Sequence, residues 1–265
     1  MSEANATIEG AAARVGHYRW VIVGLLFAAT VINYVDRQMI GVLKPTLMAD
    51  LGWSEVDYAN IVFWFQTAYA IGYLGFGRIV DVIGARLGYA IAFVIWTLAH
   101  IAHGWVNGVT QFAMARFGLG LGEAGNFPAG IKAVTEWFPA KERAFAIGLL
   151  NAGANIGAVV TPLVVPFLVV TYGWREAFVI TGIATSVWLI AWLALYRRPT
   201  EHKRLSPAEL AYIQQDPKDP VTPLPCHRPC GALAGSAKLC FALDCHRPIA
   251  CRPGRRLRNA GRRHS

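Results

Sequence analysis

The stretch Tyr58–Gly77, YANIVFWFQTAYAIGYLGFG, carries no charged side chain from end to end. About 20 apolar residues wound as an α-helix cover the hydrocarbon core of a bilayer, so a stretch of this length reads as a transmembrane span. Ala177–Tyr196 is a second uncharged run of the same length. Leu87–Ala115 and Ala144–Trp174 are longer still, and each must include a turn at one end. Residues 19–47 and 112–137 carry charges against an equally apolar background. The pattern predicts helices near 19–47, 58–79, 87–105, 112–137, 144–170 and 177–197. The fold class expected is an all-α membrane protein: a six-transmembrane-helix bundle with a disordered basic tail. Six buried helices of a soluble protein are the competing reading, and so many uncharged runs so closely spaced argue against it.

Composition agrees once it is divided. Charged residues make up 15% of the 265, where a soluble globular domain carries about 25%, and the mean hydropathy is +0.38. The net charge of +9 suggests a nucleic acid or a membrane surface, but it is unevenly placed. Residues 1–216 hold 15 Lys/Arg against 14 Asp/Glu, whereas residues 217–265 hold 10 against 2. All five cysteines also lie in that last segment.

The cationic loops orient the bundle. Arg14, Arg19, Arg78, Arg86, Lys141, Arg143, Arg197, Arg198, Lys203 and Arg204 fall on one side, and only Lys44 and Arg175 on the other. Lys and Arg accumulate in cytoplasmic loops, so both ends are expected in the cytoplasm of a cell whose inner membrane the chain spans. The segment ahead of Tyr18 contains Glu3 and Glu9 and no apolar core, so no cleavable signal peptide is expected. Gly118, Gly120, Gly122 and Gly125 crowd the fourth span and Gly153-x-x-x-Gly157 lies in the fifth. Small residues let helices approach closely in lipid, which predicts a compact bundle.

Four charges lie where lipid would exclude them: Asp36 and Arg37 in the first span, Arg116 and Glu123 in the fourth. Each costs about 2.5–3.5 kcal/mol at a helix centre, so they must face a protein interior or a cavity. Arg116 and Glu123 are seven apart and share a helical face. Asn33, Tyr34 and Arg37 share one in the first span, Asn151 and Asn155 one in the fifth, and Tyr69 adds a hydroxyl in the second. An arginine at membrane depth stays charged and can grip a carboxylate through two parallel hydrogen bonds. A buried carboxylic acid can take up and release a proton. These groups suit a proton-coupled carrier for an organic anion, and the hydroxyls and amides suit a sugar acid. A structural ion-pair network is the alternative. No nucleophile–base set, cofactor loop or metal-ligand spacing is present, so neither an enzyme nor a cofactor is expected.

Gly77-Arg78-Ile79-Val80-Asp81-Val82-Ile83-Gly84-Ala85-Arg86 resembles the GxLxDxxGxR cytoplasmic loop of the major facilitator superfamily. Asn33-Tyr34-Val35-Asp36-Arg37, Arg116 to Glu123, Pro128-Ala129-Gly130 and Glu136-Trp137-Phe138-Pro139-Ala140-Lys141-Glu142-Arg143 resemble its anion:cation symporter branch. The stretch Ala115 to Pro162 is most similar to hexuronate transporters, and the similarity covers about residues 17–215. By this resemblance Arg37 engages the substrate carboxylate, while Tyr34, Tyr69, Asn151 and Asn155 contact sugar hydroxyls. Asp36 and Glu123 carry coupling protons, with Arg116 tuning Glu123. Gly77, Asp81, Gly84 and Arg86 brace helices that rock during transport. Hexuronate carriers can lack an acid at the position of Asp36 and galactonate relatives have one, so glucuronate, galacturonate, galactonate and glucarate all stay open as substrates.

The expected domains are a cytoplasmic segment 1–16, the bundle 17–198, a linker start 199–216 and the tail 217–265. Ser206, Pro207 and Glu209 stand at the N-cap, N1 and N3 positions of a helix start. The two helix triplets are of similar length and each opens on the charged helix, as nested inverted repeats would be. Carriers of this kind need two such halves, so the chain reads as an amino-terminal half, with a complementary six-helix half as partner and no nucleic acid. A membrane fragment that does not transport is the rival reading. In the tail, neither Cys-x₂-Cys nor His-x₃₋₅-His spacing occurs, so zinc is not expected. Its abrupt Arg/Pro/Cys-rich text reads as a shifted frame without fold.

Overall fold

The computed structural model describes residues 16–202 and 205–216. The expectations for the N-terminal segment and for the tail lie outside the described residues. The bundle falls within one compact unit ending at Pro217. Its helices are α1 (Tyr18–Leu51), α2 (Glu55–Ile83), α3 (Ala85–Ala102), α4 (Val109–Glu123), α5 (Asn126–Trp137), α6 (Ala140–Tyr172) and α7 (Trp174–Leu195), followed by a 3₁₀ turn (Pro199–Glu201) and α8 (Pro207–Ile213).

The six expected helical segments are present, one of them interrupted. The fourth, expected as 112–137, is two helices in series. The amide of Gly125 bonds the carbonyl of Gly122 at 3.1 Å, three residues back, so the chain tightens and leaves the α-helical path. Pro128 then stands in the first turn of α5, where its missing N–H costs nothing. By length and composition α1, α3, α6 and α7 are long and apolar enough to cross a membrane. The 15-residue α4 and the 12-residue α5 are too short singly.

Helix ends follow local chemistry. Ser54 and Asp57 form a reciprocal capping box that starts α2, with the Ser54 amide 3.0 Å from the Asp57 carboxylate and the Asp57 amide 3.2 Å from the Ser54 hydroxyl. Gly84 joins α2 to α3 as a single residue at φ 86°, a left-handed conformation that a side chain would strain.

Close packing rests on backbone approach. α1 lies along α6 and α2 along α4, while α3 packs on α4 and α7. A Cβ added to Gly157 would stand 2.7 Å from the Tyr34 Cβ and the Val31 carbonyl, so the Gly153/Gly157 pair is the α1–α6 seam. A Cβ on Gly122 would run into the Trp96 backbone, and one on Gly120 would stand 2.5 Å from the Phe65 carbonyl.

The apolar interior divides in two. One cluster, with Leu26, Tyr89, Trp96, Leu119, Trp137 and Trp192, fills the end that carries Arg86 and Arg143. The other, with Met39, Leu47, Trp53, Phe112, Trp174 and Phe178, fills the end that carries Lys44 and Arg175. Asn33, Asp36, His100, Arg116, Thr181 and Thr185 fall in sequence between members of the two and are buried. The bundle is two apolar plugs with a polar layer between them.

Candidate functional site

Asp36 and Arg37 are neighbours in α1 and point apart, because successive helical residues are turned by about 100°. Arg37 faces α2 and α4. Its Nε donates to Glu123 Oε2 at 2.8 Å. Its guanidinium carbon lies 4.4 Å from the centre of the Tyr69 ring, 5.2 Å from Tyr34 and 5.5 Å from Phe65. Three aromatic faces around a guanidinium stabilise its charge where water is scarce. The buried Arg37 Nη2 and Glu123 Oε1 have no hydrogen-bond partner among the described residues.

A cavity of about 350 Å³ opens beside Arg37, lined also by Gln38, Tyr58, Phe65, Gln66 and Arg116. That is within the size of small-molecule sites, ~300–1,000 Å³. Its wall is apolar with a few convergent amides, hydroxyls and guanidinium groups, the composition that fixes a small polar ligand.

Asp36 faces α3 and α7. Its Oδ2 accepts from Trp96 Nε1 at 2.9 Å and from Thr185 Oγ1 at 3.1 Å, and its Oδ1 lies 3.4 Å from His100 Nε2. It is fully buried and does not line the cavity.

The remaining expected residues divide between these places and others. Tyr34 and Tyr69 join Arg37. Arg116 lines the cavity, is 1% exposed, and has Nε and Nη2 unpartnered. Among the described residues Glu123 makes its ion pair with Arg37 and none with Arg116. Asn151 and Asn155 are exposed on α6, Asn151 donating to its own helix at Ile147 O, and neither lines the cavity. Asn33 is buried with both amide atoms unpartnered.

Around the α2–α3 junction, Asp81 in the last turn of α2 lies 3.6 Å from Lys132 of α5, Arg86 Nη2 in the first turn of α3 donates to Leu193 O at 2.7 Å, and Trp192 Nε1 donates to Arg86 O at 3.1 Å. A Cβ on Gly84 would meet the Arg198 guanidinium at 2.9 Å, whereas Gly77 has open space around it. The junction is thus tied to α5 and to the end of α7.

Two polar sets escaped the sequence reading. Tyr89 donates to Asn126 Oδ1, and Asn126 Nδ2 donates to Thr30 at 3.3 Å, which ties α5 to α1 and α3 beneath the break. His100 stands against Asp36, and His103 against Phe178 of α7. Their i, i+3 spacing inside an apolar span was the available signal, and a neutral imidazole does not register in a search for charges.

Comparison with known proteins adds lineage to this geometry. Residues 26–246 match the family model described as Major Facilitator Superfamily. A galacturonate transporter of Dickeya chrysanthemi is 37% identical over 195 residues, covering 74% of this chain and 56% of its own length. A hexuronate transporter of Escherichia coli strain K12 is also 37% identical over 195 residues, covering 74% of this chain and 45% of its own length. The chain therefore spans about half the length of the curated relatives it matches. Among solved structures, a bacterial homologue of the human lysosomal transporter Spinster, inward-facing and unoccupied, superimposes with a TM-score of 0.63. It is 21% identical and the match covers 71% of this chain and 44% of that one, which is a likeness of fold.

Proposed function

Because the chain belongs to the major facilitator superfamily, we propose that its bundle forms the anion-binding half of a proton-coupled carrier for a sugar acid such as galacturonate or glucuronate. The observation that carries this reading is the state of Arg37. One nitrogen holds Glu123 while Nη2 remains unpartnered beside a cavity of about 350 Å³. A ligand carboxylate and the Glu123 carboxylate compete for one guanidinium. Protonation of Glu123 removes its claim, so the anion and the proton enter together. Arg116 adds a second cation at the cavity wall, and Tyr34, Tyr69, Gln38 and Gln66 offer partners for hydroxyls. The names of the relatives support the substrate class.

The proposed carrier lies in the bacterial inner membrane, and the accumulation of Lys and Arg at one end supports that end being the inner one. Uptake of labelled galacturonate with and without an inward proton gradient tests the mechanism. Gradient-driven accumulation is expected, and uptake indifferent to the gradient would exclude proton symport. In Glu123→Gln, accumulation is expected to collapse to equilibration; retained accumulation would remove Glu123 from the coupling role.

A second reading follows from the half-length match: a membrane half that binds the anion and transports only with a complementary six-helix half. Saturable binding of galacturonate by the purified chain without flux would favour it.

A further inference from the structure

The proton-coupling reading leaves unanswered how Asp36 exchanges its proton, since it is fully buried and turned away from the cavity. Among the described residues, these groups face it or its neighbours from the packed helices. α3 contributes Trp96 and His100, with His103 beyond His100 against Phe178; α7 contributes Thr185, with Thr181 on the far side against His100, and no charge. α4 contributes Arg116 and Glu123, whose charges bear on Asp36, and α2 contributes Tyr58, which bears on Arg116.

The hydrogen bonds define the direction of His100. We assign the single Thr181 hydroxyl hydrogen to Ala177 O at 2.9 Å, which leaves its lone pair facing His100 Nε2 at 2.7 Å. On that assignment His100 Nε2 carries a hydrogen, and the same nitrogen is 3.4 Å from Asp36 Oδ1. The opposite nitrogen, Nδ1, is buried and unpartnered. His103 Nδ1 lies 2.7 Å from Ala99 O, which fixes the hydrogen there and leaves the unpartnered Nε2 as a lone pair. The two rings are 6.2 Å apart, and His103 is stacked on Phe178 within the apolar plug at the Lys44/Arg175 end. Along α3 the order from Asp36 to His100 to His103 leads toward that end, where Arg175 closes the surface by donating to Gly104 O at 3.0 Å.

Three buried polar atoms without partners, Asp36 Oδ1, His100 Nδ1 and His103 Nε2, are hard to explain as structural bonding, since buried polar groups are nearly always paired. We infer that His103 and His100 form a proton relay that loads Asp36 from the Lys44/Arg175 end of the bundle, separate from the Arg37 cavity. The inference rests on the proton-coupling reading. A proton from water arrives on the His103 Nε2 lone pair and, because rings 6.2 Å apart hold no direct bond, crosses to His100 Nδ1 through a bridging water or a rotation of the His103 ring. His100 Nε2 gives its own proton to Asp36 Oδ1. Both imidazoles end neutral, His100 with its tautomer exchanged, and the carboxylate ends as the neutral acid.

Time-resolved infrared spectroscopy of the full chain in lipid nanodiscs after an acid pH jump tests this. The Asp36 carboxyl band is assigned by its loss in Asp36→Asn. In His100→Gln, which keeps a donor toward Thr181, the band is expected to rise about 100-fold more slowly, the low end of what a positioned acid–base group contributes, and to reach the same final amplitude. His103→Gln, remote from Asp36, is expected to slow it likewise, which a purely positional role of His100 would not do. Helix content by circular dichroism identifies folded variants, and His100→Asn replaces His100→Gln if that one fails. A wild-type rate in either folded variant overturns the relay. If Asp36 of the unsubstituted chain never changes protonation, the coupling role of Asp36 falls as well; if it titrates indifferently to both histidines, only the relay falls.

Discussion

The ion pair between Arg37 and Glu123 is asymmetric, and the asymmetry predicts which partner can be removed. The Glu123 side chain is fully buried while that of Arg37 keeps 23% of its surface exposed at the cavity. Leaving a buried charge without its partner costs about 3–5 kcal/mol, and less where water can reach it. Arg37→Met is therefore expected to destabilise the bundle by about 3 kcal/mol or more, and Glu123→Gln by clearly less. The double substitution is expected to recover most of the loss, because it leaves no lone charge. Denaturant unfolding in detergent measures the cycle, and equal single losses would contradict the stated burial. At this scale the sequence showed which residues mattered better than where they point. Asp36, Arg37, Arg116 and Glu123 stood out because an apolar background makes any charge conspicuous. That Asp36 and Arg37 serve opposite faces was not readable, since both sides of α1 are packed. Asn151 and Asn155 share a face as expected, but that face is exposed and does not line the cavity.

Helices were readable from uncharged runs to within a few residues, and the break between α4 and α5 was not. Glycine clusters are ordinary in membrane helices, so Gly122 and Gly125 read as packing residues, and the turn they make needs the backbone of α3 in view. The short α8 shows the opposite case, since Ser206, Pro207 and Glu209 announced it and the Ser206 hydroxyl accepts from the Glu209 amide at 3.1 Å. What the sequence hid is how α8 is held. Glu142, ahead of the apolar run of α6, accepts from Arg19 Nε at 2.9 Å and from the Tyr212 hydroxyl at 2.8 Å, while Glu209 lies 3.6 Å from Arg19. Partial burial acts to raise the Glu142 carboxyl, but the bonds from Arg19 and Tyr212 and the Arg19 charge outweigh it and hold the carboxyl below its usual range. A carboxyl depressed in the folded state adds stability that is full above its unfolded value, about 4.3, and is lost as pH falls through the folded value. Hydrogen exchange of the α8 amides is expected to stay protected from neutrality to about pH 5 and to lose protection below about pH 4. In Glu142→Gln that acid step is expected to disappear, with weaker protection at every pH. A step of unchanged size in the variant would assign it to another group.

At the scale of the molecule, the packing carries the mark of a repeat that residue similarity alone was too weak to establish. The first helix of the first triplet, α1, lies along the second helix of the other, α6. The first helix of the second triplet, α4, lies along the second helix of the first, α2, and glycines mediate both seams. Exchange of the triplets maps one seam on the other, as inverted repeats about a site at mid-depth require. The polar layer between the two apolar plugs is then the meeting plane, and each plug belongs to one membrane face. Which face is which follows from Lys and Arg alone, because acidic residues contribute little to orientation. Two glutamates can thus be replaced by reporters without altering the signal: Glu55, exposed and paired with Lys44 at 2.7 Å, and Glu201 in the 3₁₀ turn. In a chain whose five cysteines are changed to serine, Glu55→Cys is expected to react with an impermeant maleimide on intact cells. Glu201→Cys is expected to react only after permeabilisation. The reverse pattern would invert the bundle, and would then make the His103 end the cytoplasmic one.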